Sequence, residues 1–311
     1  MRGFYRFSVE PDRRGRMTQR RGIDLLRQGW PFALLCLAAS SEGWITDTWP
    51  QAGSTLASET AACALAAALS FGLAFLKPKA RPTRLSTSST AWGGALILVG
   101  PAIGLFLMSS LGPANRVLAL ALTPVVVAVA EAALGTQEQG LSARSLWPGL
   151  AAVSGLLLVL PEPSLASPLN DAALLLAPLL TGIGCTLFRR HTLDAMDATT
   201  TFAGGCLLFG LGTVVQSALQ HTLPVPDFAA VAIDLVLTLL SILALQRLTA
   251  TQYVSRYVLV PLVILLLSLL QVHETITARS VTCAVLLAGA AISLLRQSDR
   301  RKDEPLNVVI G

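Results

Sequence analysis

Apolar residues form long uninterrupted runs along this chain instead of the short alternating patterns of soluble proteins. Residues 91–111 and 198–220 contain no charged side chain at all. A helix needs about 20 such residues to cross the ~30 Å hydrocarbon core of a bilayer. A buried strand of a soluble α/β protein uses apolar runs of about 4–8 residues. The lengths of the runs therefore predict membrane-spanning helices.

Short connections join ten such segments, which leaves little room for a separate soluble domain. The pattern predicts an all-α membrane protein with about ten transmembrane helices. The predicted spans are 29–49, 57–76, 90–111, 115–135, 145–161, 171–188, 198–220, 228–246, 251–272 and 279–296.

Composition agrees with a lipid environment. Of the 311 residues, 53% are hydrophobic and only 13% are charged, whereas soluble domains carry about 25% charged residues. The mean hydropathy is +0.64. The five cysteines all fall in apolar segments without metal-ligand spacing, so we interpret them as small packing residues.

The basic residues indicate how the chain is oriented. With ten spans and a cytoplasmic N-terminus, all but two of the 23 Lys and Arg residues fall on the cytoplasmic side, the exceptions being Arg116 and Arg279. This bias is typical of loops that stay inside the cell. It predicts a multi-pass protein of the cell inner (plasma) membrane with both termini in the cytoplasm. The net charge of +5 is therefore explained without nucleic acid as a partner.

The N-terminal region allows a second interpretation. A basic stretch followed by WPFALLCLAASS resembles a signal peptide. The apolar character continues through Ile45, which favours an uncleaved first helix. Met17 is an alternative start, because residues 1–16 form a basic tail.

The two halves of the chain resemble each other. Pro124 lies in an apolar helix that is followed by Ala143-Arg144-Ser145 and a helix rich in small residues, and Pro261 is followed in the same way by Ala278-Arg279-Ser280. Five helices in each half would place the first Arg hairpin inside and the second outside, so the halves are expected to be inverted repeats. The predicted organisation is a basic cytoplasmic tail 1–28, a first five-helix repeat 29–161, a second five-helix repeat 171–296 and a cytoplasmic tail 297–311.

The proline-containing helices and their hairpins resemble the EamA-type repeat of the drug/metabolite transporter superfamily. In that pattern a loop acid follows the proline helix, and Glu138 and Glu274 would take this place. Glu59 departs from the pattern, since many members have a basic residue there. The resemblance extends over 29–296. It implies a central cavity lined by the third, fourth, eighth and ninth helices.

Ionisable residues within apolar spans are the candidates for function, because each costs at least about 2.5–3.5 kcal/mol to insert. Their depths allow two pairs, Arg116 with Asp234 and Arg256 with Glu131. Structural salt bridges or snorkelling to the interface remain alternatives for these charges. Tyrosines beside Arg256 either stack on a substrate or anchor the helix at the interface. The candidate cavity and coupling residues are Glu42, Arg116, Glu131, Asp234, Tyr253, Arg256 and Tyr257.

Pro124 and Pro261 are candidate hinges, because a mid-helix proline leaves a carbonyl without its hydrogen bond; an ordinary packing kink is the alternative. Gly100 and Gly104 are interpreted as helix-packing positions. The three histidines lie far apart in predicted loops, and the chain contains no HExxH, GxSxG or Walker-type motif. We therefore expect no catalytic residue, metal or cofactor.

The sequence favours a secondary transporter that exports small organic metabolites, amino-acid-like or drug-like, by alternating access. The resemblance supplies this range of substrates. The expected partners are the lipid bilayer and a small-molecule substrate, with protons as the candidate coupling ion.

A lipid-linked or nucleotide-sugar carrier of the same superfamily is an alternative. Such polyanionic cargo should, however, meet several Lys or Arg residues in the cavity, and only Arg116 and Arg256 qualify. A non-transporting membrane assembly subunit is a third interpretation. The sequence leaves the oligomeric state open.

Overall fold

A computed structural model describes residues 29–42, 45, 53–76, 89–133, 143–160, 168–188, 195–221, 225–271 and 277–303. Within these ranges every regular element is a helix. In chain order they are α1 (29–42), α2 (Leu56–Leu76), α3 (Ser89–Ala121), α4 (Thr123–Ala133), α5 (Ala143–Val159), α6 (Pro168–Leu187), α7 (Ala195–Gln220), α8 (Phe228–Arg247), α9 (Ala250–Val254), α10 (Arg256–Gln271) and α11 (Ala278–Asp303).

Several helices begin at residues that satisfy free backbone N–H groups. Asp227 caps α8 by accepting a hydrogen bond from the N–H of Ala229 at 3.2 Å. Thr249 and Gln252 form a reciprocal capping box at the start of α9. Such caps replace water as the partner of the first-turn N–H groups. They explain why the helices start where the apolar runs begin.

Large apolar side chains cover much of the surface, and several polar side chains lie in the otherwise apolar interior. Large apolar side chains such as Leu211, Val214 and Val285 are more than half exposed, whereas Asp234, Thr201 and other polar side chains are buried. Among the residues that the structure describes, six helices are long and apolar enough to cross a membrane, and three further apolar helices are shorter. The prediction of an all-α, multi-pass membrane protein is confirmed at this level of detail.

The third and fourth predicted spans share one helical segment. Gly93, near the start of α3, and Val126, in α4, both lie beside residues 182–184 of α6. A straight helix from residue 93 to the end of α3 would be about 42 Å long, too long for both contacts. The two apolar parts of this region, Ser89–Ile103 and Asn115–Ala133, therefore lie beside the same part of α6.

Small residues allow the helices to approach closely. Gly93 and Gly184 cross backbone to backbone, since a Cβ on Gly184 would lie 2.7 Å from the carbonyl oxygen of Gly93. A Cβ on Gly100 would overlap Thr181. The packing role predicted for Gly100 is confirmed, whereas the surroundings of Gly104 are outside the described side chains.

The helices pack against each other in the following pairs. Helix α3 packs on α6 and α7, and α2 packs on α7 and α8. Helix α5 packs on α11 and α4, and α10 packs on α11.

Two helices are interrupted in the middle of the bundle. The N–H of Leu122 bonds the carbonyl of Ala119, and the N–H of Ser255 bonds that of Gln252, in each case three residues back. Such tight turns within a helix often mark a hinge. Pro124 lies two residues after the first interruption, but Pro261 lies six residues after the second. Relative to the interruption that precedes each of them, the positions of the two prolines therefore differ by about one helical turn. Their hinge role remains a prediction.

The observed helices differ from the predicted spans at two further places. The ninth span, 251–272, is divided at Ser255 into α9 and α10, because Thr249 starts a separate capped turn. The last span was expected to end at residue 296, whereas α11 continues to Asp303. The additional residues are polar, so the helix continues beyond the apolar stretch. The tail 1–28 and the loop acids Glu138 and Glu274 lie outside the described residues.

Candidate functional site

One face of α8 carries a line of buried polar side chains. Asp234 is the seventh residue of the helix and only 1% exposed, and Thr238 and Ser241 are also buried. Residues spaced by four and seven positions lie on the same side of a helix. Asp234 and Ser241 are therefore about 10 Å apart along this polar face. Each belongs to a separate group of interacting side chains.

The first group forms where α8 meets the beginning of α2. The Ser58 hydroxyl lies 2.5 Å from Oδ2 of Asp234, and it also accepts the N–H of Thr55 at 2.8 Å. Thr55 in turn accepts the N–H of Ser58 at 3.1 Å. This arrangement caps α2 and brings the buried carboxyl to the positive end of its dipole, where negative charge is stabilised.

Three further charged side chains complete this group. Arg116 interacts electrostatically with Glu42, Glu59 and Asp234. Glu59 lies in the first turn of α2, where Ser54 reaches its Oε1 at 3.5 Å. We call Ser58 and the four charged residues, Glu42, Glu59, Arg116 and Asp234, the Asp234 cluster. If all are ionised, its carboxylates outnumber its guanidinium three to one, so the cluster suits the binding of a proton or another cation.

The second group surrounds Arg256 at the start of α10. The guanidinium carbon lies 4.5 Å from the ring centres of both Tyr253 and Tyr257. Its NH1 donates to the Ser241 hydroxyl at 3.1 Å, and its NH2 donates to the Tyr257 hydroxyl. We call Ser241, Tyr253, Arg256 and Tyr257 the Arg256 cluster. Cation–π contacts with two rings fix the plane of the guanidinium.

Helices from both halves of the chain enclose Arg256. Cys36 of α1 and Cys185 of α6 both lie within electrostatic range of its charge. Both thiols are buried, as are Tyr253 and Ser241. Arg256 itself is only half-buried.

The structure brings together some of the predicted residues. Arg116 lies within electrostatic range of Glu42, Glu59 and, most weakly, Asp234, so its pairing with Asp234 stays a prediction. Arg256 bonds Ser241 and Tyr257, and its pairing with Glu131 also stays a prediction. Glu131 is buried in α4. Tyr253 is fully buried and Tyr257 nearly so, which excludes the alternative that they anchor the helix at a lipid–water interface.

Three residues of these clusters were not among the sequence candidates. In the sequence, Glu59 is marked only by its departure from the EamA-type pattern, and Ser58 and Ser241 carry no such mark. A serine carries no charge, so it lacks the cost of membrane insertion that makes a charged residue stand out in an apolar run. The spacing of Ser241 from Asp234 places it on the same helix face, and that signal could have identified it.

Comparisons with known proteins concern the fold. No protein-family model matches the chain, and no curated protein matches it. One solved protein, known from a crystal structure, is similar with a TM-score of 0.60 and 13% sequence identity, over 86% of this chain and 98% of that chain. At this identity the similarity describes the arrangement of the helices and leaves the function to the chain's own residues.

Proposed function

We propose that this protein is a secondary transporter that exports a small organic metabolite by alternating access. The observation that carries the proposal is the Asp234 cluster. Four charged side chains from α1, α2, α3 and α8 meet inside an apolar helical bundle, next to a buried polar helix face. Charges at this position oppose insertion into lipid, so a function that uses them accounts for their presence better than support of the fold does.

The packing of the helices supports two inverted halves. If five helices form each half, α2 corresponds to α7 and α5 to α11, and each packs on its own counterpart. The contact of α3 with α7 then corresponds to that of α8 with α2, and α4 with α5 corresponds to α10 with α11. Such an exchange of equivalent contacts is expected of inverted repeats, which rock against each other around a site near the middle of the membrane.

The EamA-type resemblance of the sequence supports the same function. In this proposal the ten predicted spans cross the cell inner membrane with both termini in the cytoplasm. The interruptions at Leu122 and Ser255 would absorb the movement of the two halves. Protons are the proposed coupling ion, since the Asp234 cluster holds carboxyl groups in excess.

The first experiment is a metabolite profile of the medium around cells that express the wild type or Asp234→Asn. We expect at least one compound to accumulate outside wild-type cells and not outside Asp234→Asn cells. Asp227→Asn is the matched control, because it makes the same chemical change on the same helix and asparagine also caps helices well. Membrane insertion of all three proteins is checked by fractionation.

Each outcome has a separate meaning. Accumulation with both Asp234→Asn and the wild type keeps the exporter and assigns Asp234 a structural role. An extracellular profile identical to that of cells without the protein, despite correct insertion, contradicts the proposal of export.

A further inference from the structure

Arg256 is an interior cation whose neighbours do not neutralise it. Within the described part of the chain it bonds two neutral hydroxyl groups, those of Ser241 and Tyr257, and stacks against two tyrosine rings. A charge held inside a protein is normally compensated by an opposite charge. Arg116 provides the contrast, because it has Glu42, Glu59 and Asp234 around it.

The geometry leaves part of the guanidinium free for a ligand. All five N–H donors of arginine lie in one plane, and the rings of Tyr253 and Tyr257 contact the guanidinium without themselves accepting these N–H groups in regular hydrogen bonds. Ser241 and Tyr257 take two of these donors. Arg256 keeps part of its surface accessible, while Cys36 of α1, Cys185 of α6 and Ser241 of α8 lie around it. A small anion that reaches this surface would meet the remaining donors.

A second buried polar group points to the same place. Tyr253 is fully buried, and its hydroxyl lies near Ser241 without a hydrogen-bond partner of regular geometry. A buried hydroxyl without a partner loses about 1–3 kcal/mol of solvation. A ligand that accepts a hydrogen bond from Arg256 beside Ser241 lies within the same group of side chains. It can also accept a hydrogen bond from the Tyr253 hydroxyl.

We propose that the Arg256 cluster binds a single carboxylate group of the transported solute, and this inference rests on the proposed transport function. A carboxylate matches the planar fork of a guanidinium with two parallel hydrogen bonds. One cation compensates one negative charge, so a monocarboxylate suits the cluster better than a phosphate dianion.

The test uses the purified full-length protein in detergent and compares sodium benzoate with its neutral analogue benzamide. At millimolar concentration and matched ionic strength, benzoate should raise the Tm of the wild type by about 2 °C more than benzamide does. The difference should disappear in Arg256→Gln and shrink in Arg256→Lys, which keeps the charge but loses the fork. Arg279→Gln, at an exposed arginine of α11, is the matched control and should behave like the wild type.

Three results would overturn the inference. One is an equal effect of benzoate and benzamide on the wild type, and another is a benzoate shift that persists in Arg256→Gln. A larger shift with inorganic phosphate than with benzoate would reject the monocarboxylate. If Arg256→Gln does not fold, Arg256→Lys decides, because a full benzoate shift in that variant also rejects the fork.

Export measurements separate this inference from the proposed function. A benzoate shift without any exported metabolite keeps the anion site and rejects transport. Exported compounds that lack a carboxylate, with export unchanged in Arg256→Gln, keep transport and reject the anion site.

Discussion

The Asp234 cluster and the Arg256 cluster both include residues of the same face of α8, but their interior charges are stabilised in different ways. The first collects three carboxyl groups around one arginine from four distant parts of the chain. The second supports a single arginine with two aromatic rings and two hydroxyl groups, mostly from residues 253–257. In the first cluster opposite charges of the chain face each other, with carboxyl groups in excess, whereas in the second we propose that an anion from outside the chain compensates the arginine. The comparison suggests that the first cluster handles a cation or proton and the second an anionic group.

The largest expected effect distinguishes the two arginines by stability. Arg116→Gln would leave three carboxyl groups without their cation, and removal of one partner from an interior ion pair costs about 3 kcal/mol. For a chain of this size the Tm should fall by roughly 6–12 °C. Within the described structure Arg256→Gln leaves no carboxylate without its cation. It should therefore lower the free energy of unfolding by only about 1 kcal/mol. Thermal unfolding of both variants in detergent measures the difference.

A second substitution checks the cause of this effect. In the Arg116→Gln background, Glu59→Gln removes one of the stranded carboxyl groups and should restore part of the lost Tm. Equal losses of Tm for Arg116→Gln and Arg256→Gln would contradict the proposed difference between the clusters.

The next effect concerns pH. If Asp234 or Glu42 exchanges a proton during transport, the rate should change by up to about tenfold per pH unit over part of the range. Asp234→Asn and Glu42→Gln should flatten this dependence, because neither amide can titrate. Arg256→Lys should keep it, since the second cluster holds no acid in the described structure. Export of the identified metabolite between pH 5.5 and 8, in about half-unit steps, measures the profile. A rate independent of pH and unchanged in both acid variants would eliminate proton exchange at these residues.

The sequence predicted the helices that form the site better than it predicted the contacts between them. The run lengths placed most spans within a few residues of the observed helices, because a helix in lipid must be apolar over its whole crossing. The Arg256 cluster was visible from the spacing of Tyr253, Arg256 and Tyr257, which share one helical surface. The Asp234 cluster was only partly visible. Its contacts join residues such as Ser58 and Asp234 that are far apart in sequence, and a local pattern does not encode which helices become neighbours.

A matched pair of tyrosine substitutions sharpens the account of the second cluster. Tyr257→Phe removes a hydroxyl that accepts a hydrogen bond from Arg256. It should weaken benzoate binding about fivefold, equivalent to about 1 kcal/mol. Tyr253→Phe removes a hydroxyl that has no regular partner, so in the absence of benzoate it should leave the Tm unchanged or slightly higher. Benzoate titrations of the Tm compare the two variants. A larger loss of Tm without benzoate in Tyr253→Phe than in Tyr257→Phe would show that the Tyr253 hydroxyl has a partner in the free protein.

The smallest expected effect is the coupling between the two clusters in the absence of a solute. Asp234 and Ser241 are about 10 Å apart along α8, and substitutions at that separation usually add to within about 0.5 kcal/mol. The Tm loss of the double variant Asp234→Asn/Arg256→Gln should therefore equal the combined losses of the two single variants, to within about 2 °C. Thr238 is the buried polar residue between them on this face of α8, so it is the residue through which a direct connection would run. A clearly non-additive double variant would mean that the polar face is one network and that the two clusters share their charge. Additivity would mean that any coupling seen in transport is provided by the solute that contacts both.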